Sequence, residues 1–227
     1  MPRDAPKTKI NGVKSYGGKI HFYDRHNEDR FKIAQKIARK DKSILIPPYD
    51  HPDIIAGQGT IGFEIIKQLS ETNFIPDTIF CCCGGGGLIA GLALSINHKW
   101  PKTKIHPVEP LGWDDTKTSL QKGVRVKATK KHSSICDALL AETPGELTFS
   151  INKKMLSEGL VVNNQQVLST IKFAFEELKL VVEPGGAVAL SAAIFKKDLI
   201  KNKNVLVIIS GGNVDINIFK KALETKF

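Results

Sequence analysis

The chain has 227 residues, of which 41% are hydrophobic and 25% charged, a composition that excludes a disordered, collagen-like or disulfide-knotted protein. The formal net charge is +10, but 28 of the 33 basic residues are lysines and they are scattered, which indicates a solvated surface rather than a nucleic-acid site. The longest apolar run, Leu88 to Ile96, contains Gly91 and Ser95 and is far shorter than the ~18 residues of a membrane helix. Since no apolar stretch follows Met1, we expect no secretory signal and a soluble, cytoplasmic protein.

Short apolar runs and helical stripes of apolar residues alternate along the chain. In chain order they predict a strand at 19–23, a helix at 27–40, a strand at 43–46, a helix from 60 to 69, a strand at 77–83, a helix at 86–97, a strand at 104–108, a helix at 167–178, a strand at 204–209 and a helix at 214–223. Thr60 is the expected N-cap of its helix. This alternation predicts an α/β fold with an open, mostly parallel sheet, and the Pro- and Gly-rich segment 47–59 is the candidate domain crossing.

Four glycines, Gly84 to Gly87, lie directly between a predicted strand and a predicted helix. Residues without side chains let backbone amides approach an anion, and the following helix presents its positive N-terminus. A strand–helix turn that is merely tight needs one or two glycines rather than four. The loop is therefore predicted to bind a phosphate group.

Two kinds of phosphorylated ligand fit this loop. Gly85, Gly87 and Ala90 match a relaxed dinucleotide fingerprint, and Glu109 follows the next strand, where a ribose-binding carboxylate is expected. The segment that starts at Ser210 offers the alternative, because its glycines also follow a strand and precede a helix. Its hydroxyl would then lie at the same sheet edge, able to meet the ring nitrogen of a cofactor whose phosphate is on the glycines.

Five motifs in order make the chain similar to the threonine/serine dehydratase and serine racemase family of pyridoxal-phosphate enzymes, along essentially its whole length. They are Met1-Pro-Arg-Asp-Ala-Pro-Lys7, Ile55-Ala-Gly-Gln-Gly-Thr60, Gly84-Gly-Gly-Gly-Leu88, Val182-Glu-Pro-Gly-Gly-Ala187 and Ser210-Gly-Gly-Asn-Val-Asp215. The segments Cys136–Leu140 and Pro144–Thr148 resemble those of bacterial threonine ammonia-lyases. The resemblance implies the tryptophan-synthase β-like fold (fold type II), with a remnant small domain at 1–50 and a large cofactor-binding domain at 51–227.

The resemblance also implies the site residues. Gly84, Gly85, Gly86, Gly87 and Leu88 would hold the phosphate of pyridoxal 5'-phosphate, Ser210 would face the pyridine nitrogen, and Glu183 would lie near the cofactor. A divalent-cation site for Mg²⁺ or Ca²⁺ is implied at Glu109, the backbone carbonyl of Trp113, and Asp115. The alternative for these acidic residues is an ordinary helix start, in which Asp115 meets the helix dipole.

One departure from the family is large. Its members carry a Ser-x-Lys motif, whose lysine forms a Schiff base with the cofactor, and a Ser-Ser-Gly-Asn-His-type loop that holds the substrate carboxylate. Neither motif occurs in these 227 residues, and Lys67 and Lys99 lie in the wrong context. We therefore expect the chain to be the C-terminal two-thirds of such an enzyme, with an incomplete small domain and without catalytic competence on its own.

The implied reaction is β-elimination from L-threonine or L-serine, which yields a 2-oxo acid and ammonia. A serine racemase activity, a preference for 3-hydroxyaspartate, and a non-catalytic cofactor-binding remnant or part of a split enzyme remain open. The family is commonly dimeric or tetrameric, so a homo-oligomer is expected. Three adjacent cysteines, Cys81 to Cys83, and Cys136 fit no metal motif and are predicted to be buried, reduced thiols.

Overall fold

The computed structural model describes residues 1–25, 27–129 and 132–226. The chain divides into two compact units, Met1–Pro47 and Pro48–Phe227. In the described part of the first unit, helix α1 spans Lys7–Ser15 and helix α2 spans Arg30–Asp41. The predicted strands at 19–23 and 43–46 are wrong, because neither apolar run has a partner strand to pair with and only an isolated bridge joins Pro2 to Tyr23 among the described residues.

The second unit is built on a parallel sheet that has four strands in the described residues, in the order β3-β2-β1-β4. The strands are β1 (Thr78–Cys82), β2 (Lys104–Pro110), β3 (Leu160–Val162) and β4 (Val205–Val207). In the central strand β1, all five residues are buried, and Phe80 pairs with His106 of β2 and Val207 of β4. A strand whose side chains are buried on both faces is typical of parallel sheets. The predicted α/β fold with a mostly parallel sheet is confirmed.

Helices connect and cover these strands. They are α3 (Pro52–Ser70), α4 (Gly87–Lys99), α5 (Asp115–Lys122), α6 (Glu146–Met155), α7 (Asn164–Glu176), α8 (Pro184–Phe195) and α9 (Ile216–Glu224). No helix in the described ranges is long and apolar enough to cross a membrane.

The predicted start of α3 at Thr60 is wrong. The helix begins at Pro52, where the ring of His51 accepts a hydrogen bond from the Asp53 amide, and Thr60 lies in its interior. Gly59, one of the glycines that suggested a loop, serves helix packing instead, since a Cβ there would lie 3.3 Å from the Gly91 carbonyl oxygen of α4, and a Cβ on Gly91 would overlap the backbone of α3. Ser95 of α4 also donates to the Gly59 carbonyl over 2.7 Å. Close helix approach, and not a turn, explains these small residues.

A hydrophobic core lies on each face of the sheet. Phe80 and Cys82 belong to the cluster that packs with α7, α8 and α9, whereas Ile79, Cys81 and Cys83 belong to the cluster under α3 and α4. The alternation of side chains along β1 therefore divides the three adjacent cysteines between the two cores. All four cysteines are buried and unbridged, as predicted.

Candidate functional site

The four-glycine loop connects β1 to α4, and its backbone carbonyls and its backbone amides differ in their hydrogen bonding. The carbonyls of Gly85 and Gly86 accept hydrogen bonds from the segment that begins α6. In contrast, no described residue accepts a hydrogen bond from the amides of Gly84, Gly85, Gly86 or Gly87. These amides lie at the N-terminus of α4, where partial positive charge favours an anion. The loop is therefore built as a set of free donors.

Glycine is required in this loop by close contacts. A Cβ on Gly85 would overlap the ring of Tyr49, and one on Gly87 would lie 2.8 Å from the Tyr49 Cβ. Gly86 has a φ of 93°, a conformation that L side chains rarely adopt. Leu88, the first residue after the glycines, packs against both hydrophobic cores. The loop geometry therefore depends on these residue types.

Ser210 follows β4 at the same edge of the sheet. Because β4 lies beside β1 in parallel, both strands end at this edge, and the Ser210 hydroxyl is 3.2 Å from the Cys82 thiol at the end of β1. The expectation that the Ser210 segment opens a helix directly is wrong. Helix α9 starts at Ile216 and is capped by Asp215, which accepts from the Asn217 amide, so Ser210 is left exposed and free of a capping role.

Glu183 lies against the Ser210 loop. Its amide donates to the Gly211 carbonyl over 2.9 Å, and a Cβ on Gly211 would lie 2.6 Å from a Glu183 carboxylate oxygen. The Glu183 carboxyl is thus placed beside the Ser210 loop, whereas α8 itself has no side-chain cap.

The short 3₁₀ helix Asp137–Leu139 lies between the start of α8 and the glycine loop and contacts both. A Cβ on Gly84 would lie 3.3 Å from the Leu139 Cα, and one on Gly185 would lie 3.3 Å from the Ala138 Cβ. The structure therefore brings the Gly84, Glu183 and Ser210 segments together at one edge of the sheet.

The residues of the predicted cation site lie at the carboxyl end of β2. Glu109 is fully buried, and its two carboxylate oxygens accept from the Thr116 and Lys117 amides at 2.8 and 2.7 Å. Asp115 is 2% exposed, and its Oδ2 has no hydrogen-bond partner among the described residues. Trp113 is buried, and its indole donates to the His132 carbonyl. Glu109 therefore caps α5, as an ordinary helix start would require, while Asp115 keeps an unused buried oxygen.

The electrostatics of this pair favour the uncharged carboxyls. Burial raises the pKa of Glu109 well above its ordinary value, and the nearby Asp115 raises it further. Burial likewise raises the pKa of Asp115 to about 7. The described residues contain no group of three or more His, Cys, Asp and Glu side chains suited to a metal, so a cation here would need carbonyl and water oxygens as well. The burial of Glu109 also removes the ribose-binding carboxylate from the dinucleotide alternative.

Unbonded amides, a helix N-terminus and a neighbouring hydroxyl at the end of a parallel sheet are features that suit a phosphorylated ligand. Comparison with known families agrees: the family model of pyridoxal-phosphate dependent enzymes matches residues 1–211, and the chain belongs to this family. The resemblance stated from the sequence is confirmed. Enzymes of the family depend on pyridoxal phosphate.

Individual relatives cover the chain almost completely. It is 39% identical over 226 residues to the serine racemase of Schizosaccharomyces pombe, which is 99% of this chain and 68% of that protein. It is 36% identical over 228 residues to the L-threo-3-hydroxyaspartate ammonia-lyase of Saccharomyces cerevisiae, which is 100% of this chain and 68% of that protein. The structure of maize serine racemase superposes with a TM-score of 0.86 at 32% identity, covering 98% of this chain and 68% of that one. The chain thus spans about two thirds of these relatives.

Several residues of the site were not singled out from the sequence. Tyr49 contacts the loop, Thr148 and Asn152 donate hydrogen bonds to its carbonyls, and Asp50 accepts from the Thr148 amide of α6. Tyr49 and Asp50 lie in the candidate domain crossing 47–59, and Thr148 lies in the segment Pro144–Thr148 that resembles bacterial threonine ammonia-lyases, but neither segment was predicted to be part of the site. Nothing in their spacing, however, indicates that residues 96 positions apart, Asp50 and Glu146, meet.

Proposed function

We propose that this chain supplies the cofactor-binding part of a pyridoxal-phosphate-dependent threonine/serine dehydratase, an ammonia-lyase that acts by β-elimination. The observation that carries the proposal is the row of free amides from Gly84 to Gly87 at the N-terminus of α4. These groups fit the phosphate of the cofactor, because several backbone donors and a helix N-terminus converge on one anion. Leu88 completes this turn.

Ser210 is proposed to face the ring nitrogen and Glu183 to lie beside the ring. When bound, the cofactor supplies an electron sink for the carbon from which the substrate loses its α-proton. A neutral hydroxyl at the ring nitrogen holds a proton there less firmly than a carboxylate does, so the sink is moderate. A moderate sink favours rapid loss of a β-hydroxyl group over long-lived carbanion chemistry.

The substrate is proposed to be L-threonine or L-serine. The relatives are named for serine, threonine or threo-3-hydroxyaspartate, all of which are amino acids with a β-hydroxyl group. A racemase acting on serine is the second candidate, and the 39% identity to the serine racemase of Schizosaccharomyces pombe favours it. The two are separated by the product, since elimination yields a 2-oxo acid and racemisation yields D-serine.

Catalysis requires a lysine that the 227 residues do not provide in a Ser-x-Lys context. We therefore expect this chain alone to bind the cofactor and to form neither product. Adding a segment that carries the lysine and the substrate-carboxylate loop should restore product formation.

We also propose that Mg²⁺ or Ca²⁺ binds Asp115, Glu109 and the Trp113 carbonyl. Two buried carboxyls, one with an oxygen that has no partner in the described part of the chain, fit a hard cation with oxygen ligands. The cation would hold the start of α5 against β2 and take no part in the reaction.

Titration of the chain with pyridoxal 5'-phosphate, pyridoxal and NAD, followed by intrinsic fluorescence, tests the proposal. We expect saturable binding of pyridoxal 5'-phosphate, much weaker binding of pyridoxal, which lacks the phosphate, and no saturable binding of NAD. Saturable NAD binding without binding of pyridoxal 5'-phosphate would overturn the proposal in favour of a dinucleotide site.

A further inference from the structure

The glycine loop is held from one side by the first turns of α6. The Thr148 hydroxyl donates to the Gly85 carbonyl over 2.7 Å, and the Gly145 amide donates to the same oxygen over 3.2 Å. The Asn152 side-chain amide donates to the Gly86 carbonyl over 3.3 Å. Both side chains are buried, so these bonds are shielded from water. Three donors of one segment thus bind two consecutive loop carbonyls.

These bonds fix the direction of the amides. In a planar trans peptide the C=O and the following N–H point in opposite directions, and the described chain contains no cis peptide bond. A Gly85 carbonyl held by Thr148 therefore turns the Gly86 amide away from α6. The Gly86 carbonyl accepts from Asn152 and also from the Ala90 amide of α4 over 3.0 Å, so α4 and α6 together orient the Gly87 amide. The Gly86 amide thus faces away from α6 because the Gly85 carbonyl before it is bonded to Thr148 and Gly145.

The position of α6 depends in turn on Asp50. Helix α6 has Gly145 at its N-cap, which offers no side chain to its first amides. The Asp50 carboxylate takes this role, accepting from the Glu146 amide over 2.9 Å and from the Thr148 amide over 3.0 Å. A Cβ on Gly145 would overlap this carboxylate. A charged acceptor at a helix N-terminus is a strong cap, so Asp50 fixes the turn that carries Thr148.

We propose that Thr148, Asn152 and Asp50 are positioning residues for the phosphate of the cofactor, acting through the carbonyls of the glycine loop. They contact the loop or α6 and not the phosphate. The inference rests on the proposed cofactor site and names the residues that give that site its orientation. Without the Thr148 hydroxyl, the peptide between Gly85 and Gly86 keeps only the longer hydrogen bond from the Gly145 amide, so the direction of the Gly86 amide is held less firmly.

The test compares Thr148→Val, which removes the hydroxyl, with Thr148→Ser, which keeps it. Thr170→Val is the matched control, since Thr170 is equally buried and donates to a helix carbonyl, that of Gln166 in α7, over 2.8 Å. Affinities for pyridoxal 5'-phosphate and pyridoxal are measured for each protein. Loss of one neutral hydrogen bond predicts about fivefold weaker binding of pyridoxal 5'-phosphate to Thr148→Val, with pyridoxal unchanged. Thr148→Ser and Thr170→Val should retain the wild-type ratio.

The outcomes separate the two proposals. If wild type does not prefer pyridoxal 5'-phosphate to pyridoxal, the cofactor site itself is refuted, and this inference with it. If wild type shows the preference and Thr148→Val keeps it in full, only the positioning role is refuted. Equal losses for both ligands would indicate general damage and also overturn the role. Should Thr148→Val fail to fold, Asp50→Asn, which keeps the side-chain shape and weakens the cap, must show the same selective loss.

Discussion

Asp115 and Glu109 place two carboxyl groups in the interior beside the start of α5, and the proposed cation site depends on them. Mg²⁺ or Ca²⁺ should raise the Tm of the wild-type chain, because a ligand that binds only the folded state stabilises it. Asp115→Asn should abolish this rise. Asp114→Asn is the matched control, as Asp114 is a half-buried neighbour outside the proposed ligand set and should retain the response. Thermal melts with and without cation measure the effect, and a full response in Asp115→Asn would refute the site.

His106 is buried in β2, where its Nδ1 lies 2.9 Å from the Glu158 carbonyl and its ring meets Phe80 edge to face. Burial lowers the pKa of His106 below its ordinary value, so the unfolded chain takes up this proton first as the pH falls. The stability contributed by neutral His106 is therefore present above pH ~6.5 and is lost as the pH falls through the lower folded pKa.

Urea denaturation between pH 8 and pH 5 measures this dependence. His106→Gln should lower the stability at pH 8, and the stability that it loses relative to wild type should shrink as the pH falls below ~6.5. His98→Gln, at an exposed position of α4, should leave the pH dependence of the free energy of unfolding as in wild type. A difference in the free energy of unfolding between His106→Gln and wild type that stays constant from pH 8 to pH 5 would contradict this account.

At the scale of elements, the crossing of α3 and α4 tests the role of glycine. A Cβ on Gly91 would meet the Ile55 carbonyl and the Gly59 amide, so Gly91→Ala should force the helices apart and cost about 2–3 kcal/mol. Gly57 lies in α3 with open space around it, and Gly57→Ala should stabilise the protein by about 0.5–1 kcal/mol because alanine is the better helix former. Chemical denaturation of both variants gives the free energies of unfolding. Similar effects of the two substitutions would show that the close crossing is not maintained.

The same helices show where reading elements from the sequence succeeds and fails. Strand β1 and helix α4 were predicted to within two residues, because a continuous apolar run followed by glycines leaves few alternatives. Helix α3 was started eight residues late, since glycines that pack against α4 look like a loop when read alone. Helices α1, α6 and α8 were not predicted, and α5 only as the alternative helix start at Asp115; α8 is almost uniformly apolar and carries no helical stripe.

At the scale of the whole molecule, the order of the motifs along the sequence identified the family, whereas the contacts between the segments are seen only in the structure. The sequence could place Gly84 and Ser210 at one sheet edge, because both follow parallel strands. It could not show that Asp50 caps α6 or that Glu109 caps α5, because both carboxylates bind backbone amides, and Asp50 binds those of a segment 96 residues away. Such amides carry no sequence signal.

The central claim is that the Gly84–Leu88 amides bind the phosphate of pyridoxal 5'-phosphate. Two-dimensional ¹⁵N–¹H NMR of the chain during titration with this cofactor tests it most directly. The account predicts saturable shifts at the amides of Gly84 to Leu88, reproduced in weaker form by inorganic phosphate and not by pyridoxal. Saturable binding that leaves these five amides unmoved would contradict it.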